Sequence, residues 1–131
     1  MQILSNYNSI LLVLLFFIIT YLFSVIEKVT DIKGYTNFLK SHFKNTKIKN
    51  LIPIGFYILV VMEFTSLVLL LIGAYLVIKL ESNVIAKIGL EFSALTLLVM
   101  LIGQRFAKDY QGAMLLAVYF ILNVFGLFLM Q

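Results

Sequence analysis

The chain has 131 residues, 63% hydrophobic and 12% charged, with a mean hydropathy of +1.08 and a formal net charge of +4. A soluble domain of this length cannot hide that much apolar surface, so the composition predicts an integral membrane protein folded as a single domain over residues 1–131. The basic residues flank apolar runs, which argues against nucleic acid as a partner. The absence of cysteine excludes thiol–disulfide chemistry, iron–sulfur clusters and thiolate metal sites. The one histidine, His42, is expected in a loop, so the residues offer no haem ligand pair, no metal site and no evident cofactor.

The N-terminus, MQILSNYNSI, lacks the basic n-region of a cleavable signal, so the first apolar run is read as a retained helix spanning 10–26. Thr20, Ser24 and Glu27 follow at i, i+4 and i+7, with Val13 and Phe17 continuing the stripe backwards. Such a face serves either as a helix–helix contact or as the polar wall of a cavity. The connection from Glu27 to Asn50 carries six lysines. Within it Tyr35, Phe38, Leu39 and Phe43 fall at helical spacing, which predicts a short amphipathic helix in the membrane interface, attracted to anionic lipid. Gly34 is read as a break before it.

The second span, 54–78, has one charge, Glu63, near its middle. An apolar run of about 18 or more residues reads as a transmembrane helix. A carboxyl group at such depth costs about 2.5–3.5 kcal/mol on insertion scales, so it is expected to face protein or water. Gly55, Leu59, Ser66, Leu70 and Gly73 share the Glu63 face.

The third span, 84–106, shows Gly89, Ser93, Thr96, Met100 and Gly103 at 4-3-4-3 spacing, a packing seam. Glu91 faces nearly the opposite way, with Lys87 one turn before it, as a snorkelling carboxylate or a contact to another subunit. The fourth span, 111–130, places Gly112, Leu116, Tyr119, Asn123, Gly126 and Met130 on one face.

Together these runs predict an all-α membrane protein: a four-transmembrane-helix bundle with a short interfacial amphipathic helix between the first two spans. Eight of the ten Lys and Arg residues lie in the first and third connections, so the positive-inside rule places the basic loop 27–50 in the cytoplasm and both termini outside. Helical rise puts Glu63, Tyr119, Thr96 and Thr20 each roughly 10–15 Å in from the cytoplasmic end. The predicted interior polar set is therefore Glu63, Thr20, Ser24, Ser66, Thr96, Tyr119 and Asn123, with Tyr119, Thr20 or Thr96 as the hydrogen-bond partner of Glu63. Near the cytoplasmic surface, Glu27, Asp31, Arg105, Lys108 and Asp109 are expected to form a charge network tying the two hairpins together.

These stretches resemble the DoxX-like family of small four-helix bacterial membrane proteins. In FSVIEKVTDIKGYTNFL, Lys28, Gly34, Tyr35 and Leu39 stand at matching places. In MEFTSLVLLLIGAY, Glu63, Ser66, Leu70, Leu71 and Gly73 do so. GQRFAKDYQGAMLLAVYFILNVFGLFLM is similar to the terminal helix of a branch of the family. Ser24 and Val25 depart from an Ala-Gly pair, and Ser66 stands where Gly is common. The resemblance implies the bacterial inner membrane and an accessory subunit or partner-binding component of a membrane complex, quinone-linked in some relatives.

The leading reading is a protein not catalytic by itself that binds a quinone, a lipid or a partner protein; membrane lipids are expected around it, with either a protein partner or a second copy of the chain. Two alternatives remain. One is a small quinone-site enzyme with Glu63 as proton acceptor and Tyr119 as donor, the only candidate catalytic residues. The other is a proton-coupled small transporter, although small multidrug transporters carry their glutamate in the first helix.

Overall fold

The computed structural model describes residues 2–131, with side chains described from Tyr7 onward. Five helices follow in order: α1 Gln2–Thr30, α2 Ile32–His42, α3 Ile52–Leu80, α4 Val84–Phe106 and α5 Tyr110–Leu129, with a 3₁₀ turn at Lys49–Leu51 before α3. Four of them, α1, α3, α4 and α5, are long and apolar enough to span a membrane. The protein is an all-α, multi-pass helical bundle.

The long helices run up and down in chain order. α3 packs on α1 and α4, α5 packs on α4, and a lighter α1–α5 contact closes the ring. Leu14, Phe17, Leu70 and Leu90 fill the centre with no appreciable exposure. Large apolar side chains such as Leu12, Val61, Leu95 and Ile121 point outward. That inversion of the soluble pattern leaves the outer surface to lipid.

Glycines set how closely the helices approach. A Cβ at Gly73 would lie 2.5 Å from Ala86 Cα and 2.7 Å from Ala86 N, so α3 and α4 meet here backbone to backbone. Gly126 of α5 instead leaves room for side chains, those of Val13 of α1 and Leu90 of α4. Gly55, although on the Glu63 stripe in sequence, is exposed and has open space beside it.

The ends of the spans differ from the sequence reading where capping decides them. The first span continues through Glu27 and Lys28 to Thr30, because a single residue, Asp31, separates α1 from α2. Asp31 caps α2 by accepting from the Gly34 amide at 3.1 Å. Gly34 is therefore in the first turn of α2 rather than a break before it, and the Asp31 carboxylate occupies the place of its missing Cβ. His42 closes α2 rather than lying in a loop. Asp109 caps α5 through the Gly112 amide at 2.9 Å. At the opposite end, Tyr7 Oη donates to the Glu81 carbonyl at 2.6 Å, fastening α1 to the tight α3–α4 turn, where Glu81 takes a left-handed conformation at φ 52°.

Gly73→Ala is expected to lower stability by about 1–3 kcal/mol, because the Ala86 backbone cannot yield to the added methyl without parting α3 from α4. Gly55→Ala should be neutral or stabilising by up to about 1 kcal/mol through helix propensity. Denaturant or thermal unfolding of both variants in one detergent checks the contrast.

Candidate functional site

Glu63 is fully buried, and its partner is a cation that α1 supplies. Lys28 Nζ donates to both carboxylate oxygens, at 3.1 Å each. Ser24, one turn earlier on α1, donates to Oε2 at 2.8 Å and accepts from the same ammonium. The i, i+4 spacing of Ser24 and Lys28 places both opposite α3. Lys28 is itself 8% exposed and Glu63 0%. At an effective dielectric of about 20, charges 3.1 Å apart attract by about 5 kcal/mol. Desolvating two ions costs several kcal/mol each. The pair therefore adds little net stability, while loss of one partner strands a charge.

The sequence reading sought the partner of Glu63 among Tyr119, Thr20 and Thr96, and none of the three holds it. Thr20 Oγ1 donates to the Phe16 carbonyl of its own helix at 2.8 Å. Thr96 lies against Ser66 at 3.3 Å and donates to the Phe92 carbonyl. Ser66 also donates to the Met62 carbonyl. Tyr119 is half-buried, its ring tilted against Phe16 at 5.9 Å between centroids. The inward face of α1 is Val13, Phe17, Tyr21, Ser24, Val25 and Lys28, so Thr20 falls to its edge and Glu27 is exposed.

Tyr21, absent from the sequence prediction, crosses the bundle to Ser93 of α4, with the two hydroxyl oxygens 2.6 Å apart. Asn123 is 0% exposed, and neither its Nδ2 nor its Oδ1 has a partner among the described residues. Burying such groups unpaired costs about 1–3 kcal/mol each.

The five surface charges do not bond one another among the described residues. Glu27 accepts from the Tyr35 hydroxyl at 3.3 Å, and burial together with the Glu27 carboxylate pushes that phenol above its ordinary pKa. Asp31 and Asp109 act as caps. Arg105 sits over the Tyr110 ring at 5.3 Å, and Lys108 occupies the left-handed turn between α4 and α5 at φ 59°.

α2 crosses this end of the bundle from α1 to the α4–α5 turn. There His42 Nε2 meets Gln104 Oε1 at 3.3 Å and Asp109 Oδ2 at 3.5 Å. Phe38 stacks on the His42 ring, and Phe43 is buried beside Gly103. Beneath α2 lies a cavity of about 380 Å³. Phe38, Leu39 and Phe43 roof it; Gly55, Phe56 and Leu59 of α3 and Met100 and Gly103 of α4 wall it. Its polar groups are Lys28, His42, Gln104 and Asp109. Leu51, Val99, Ile102 and Phe106 along its rim are exposed, so it opens through the lipid-facing surface. Small-molecule sites are concave, mostly apolar and about 300–1,000 Å³, with a few placed polar groups.

Lys28, His42 and Gln104 were not singled out as site residues from sequence. Continuing the Val13–Phe17–Tyr21–Ser24 face of α1 by one turn reaches Lys28. The joining of His42 to Asp109 across 67 positions has no local signature. No group of three or more His, Asp or Glu side chains placed to hold a metal occurs among the described residues. Searches of protein-family models, curated proteins and solved structures return no match to this chain.

Lys28→Met is expected to cost about 3–5 kcal/mol, because Glu63 would be left in a dry site without its cation. Glu63→Gln strands Lys28 but leaves that cation near the cavity, so its cost should be smaller. The double variant Lys28→Met with Glu63→Gln should recover most of the loss. Unfolding midpoints of the three proteins in one detergent check the order.

Proposed function

We propose that the chain is a non-catalytic membrane module that binds an amphiphile, a quinone or a lipid, in the cavity beneath α2, as an accessory subunit of a quinone-linked complex in the bacterial inner membrane. The observation that carries this reading is the form of the cavity. Its apolar walls open toward lipid, while its polar groups gather where α2 meets the α4–α5 turn. An apolar tail entering between α3 and α4 exchanges one hydrocarbon surround for another. The head group gains hydrogen bonds that lipid does not offer.

Charge also bears on the head group. Lys28 is already neutralised by Glu63, and Asp109 adds a further carboxylate. The site therefore favours a head that accepts hydrogen bonds without carrying negative charge, and the Gln104 side-chain amide offers N–H donors.

The enzyme alternative needs Glu63 and Tyr119 on one substrate. Glu63 faces Lys28 and Ser24, whereas Tyr119 lies against Phe16. The transporter alternative needs a carboxyl group free to exchange protons, and Glu63 is held by three hydrogen bonds. Both arrangements favour the binding module. A partner subunit or a second copy has a candidate contact at the exposed Glu91 and Lys87 on the outer face of α4.

Protein purified gently from the native membrane is expected to carry a quinone or lipid and a stoichiometric protein partner, both read by mass spectrometry. Gly55→Leu projects into the open space of the cavity without touching backbone, so it should fold normally and lose the small ligand at least tenfold. Retention of ligand in that variant places the ligand elsewhere.

We further infer that the basic loop is cytoplasmic and the termini lie outside, from the clustering of lysines in 27–50. The chain has no native cysteine, so Ser41→Cys and Glu81→Cys report topology directly. In intact cells an impermeant maleimide should label Glu81→Cys and spare Ser41→Cys; the reverse pattern inverts the orientation.

A further inference from the structure

Among the described residues, Asn123 is the one buried polar side chain whose donor and acceptor are both left over. Ser66 and Thr96 lie 3.3 Å apart, and their protons are taken up between that contact and the carbonyls of their own helices. Tyr21 and Ser93 form a pair, and Glu63 takes Ser24 and Lys28. Asn123, fully enclosed, makes no bond with Nδ2 or Oδ1 to any described residue.

The packing around it locates its neighbours. Gly126, one turn further along the same face of α5, meets Val13 and Leu90. α1 and α4 both run antiparallel to α5. One turn back on α5 therefore corresponds to one turn forward on the others, which sets Asn123 at the level of Phe17 and Ser93. Phe17 closes one side as a fully buried ring stacked on Tyr21. Ser93 supplies the polar side.

Within the Tyr21–Ser93 pair one hydroxyl donates and the other accepts. If the Tyr21 proton lies on Ser93 Oγ, the Ser93 proton is released. At this level α4 and α5 then bring an unpaired amide donor, an unpaired carbonyl acceptor and a spare hydroxyl proton. That set matches the two to four bonds that a buried water makes, and buried polar sites hold water where apolar ones stay dry. A leucine at this position would fill a similar volume with no polar demand.

We propose that Asn123 is a binding site for a resident water inside the bundle. The water accepts from Asn123 Nδ2 and from Ser93 Oγ and donates to Asn123 Oδ1. It extends the polar layer from α1 and α4 onto α5, the one long helix that gives the Lys28–Glu63 and Tyr21–Ser93 clusters no side chain.

The test is water-to-protein magnetisation transfer by solid-state NMR on protein with ¹⁵N-labelled asparagine side chains, reconstituted in bilayers. The chain has seven asparagines. Asn123→Leu identifies the Asn123 carboxamide by the loss of its signal, and Asn123→Ser provides a second assignment if the leucine variant does not fold. The expected result is transfer from water to Asn123 Nδ2, reduced at least twofold in Ser93→Ala. No transfer to Asn123 on that timescale, or transfer unchanged in Ser93→Ala together with a direct cross-peak to another protein group, overturns the proposal.

Discussion

The buried ion pair between Lys28 and Glu63 constrains the rest of the structure. A lone carboxylate in a 25-residue apolar run is not tolerated, and a hydroxyl partner alone does not cancel its charge. The cation has to come from a neighbouring helix at the right depth. This requires α1 to continue to Thr30, so that Lys28 lies on the same face as Tyr21 and Ser24 rather than in a loop. Once α1 is that long, only Asp31 separates it from α2, and the amphipathic helix must start directly above the pair.

That placement also creates the cavity. α2 carries no buried residue within its own length, yet its apolar side, with Phe43 at its end, roofs the groove between α3 and α4. His42 ties its far end to the α4–α5 turn through Gln104 and Asp109. The roof is thus held by a covalent link of one residue at one end and by polar contacts at the other. Asp109 serves twice, capping α5 with one oxygen and facing His42 with the other. The same carboxylate orders the start of α5 and the edge of the cavity, so these two features are coupled through one side chain.

Small residues divide the work with the polar ones. Gly73 brings the α3 and α4 backbones together, Gly126 makes room for the Val13 and Leu90 side chains, and Gly89 receives Leu69 and Leu70. Where the helices stand further apart, hydroxyl pairs fill the space: Ser66 with Thr96, and Tyr21 with Ser93. Gly55 belongs to neither class. Its missing side chain leaves volume to the cavity rather than to a neighbouring helix.

The sequence by itself determined the membrane class, the four spans and the amphipathic segment, because hydropathy and helical periodicity are local properties of the chain. The third span matches residue for residue, since a turn bounds it at each end. The sequence also singled out Glu63, Ser24, Ser66, Thr96 and Asn123 as interior, and all but the half-buried Ser24 are fully enclosed. It did not assign partners. Thr20 and Tyr21 are adjacent, and an error of one residue in the facing direction exchanges a self-bonded threonine for a tyrosine that spans the bundle. Lys28 looked like loop because lysine is polar, yet its long apolar stem lets the ammonium reach Glu63 from the end of a helix. Only the tertiary structure decided that pairing, the crossing of α2 and the meeting of His42 with Asp109, because each depends on how separate helices are rotated and stacked.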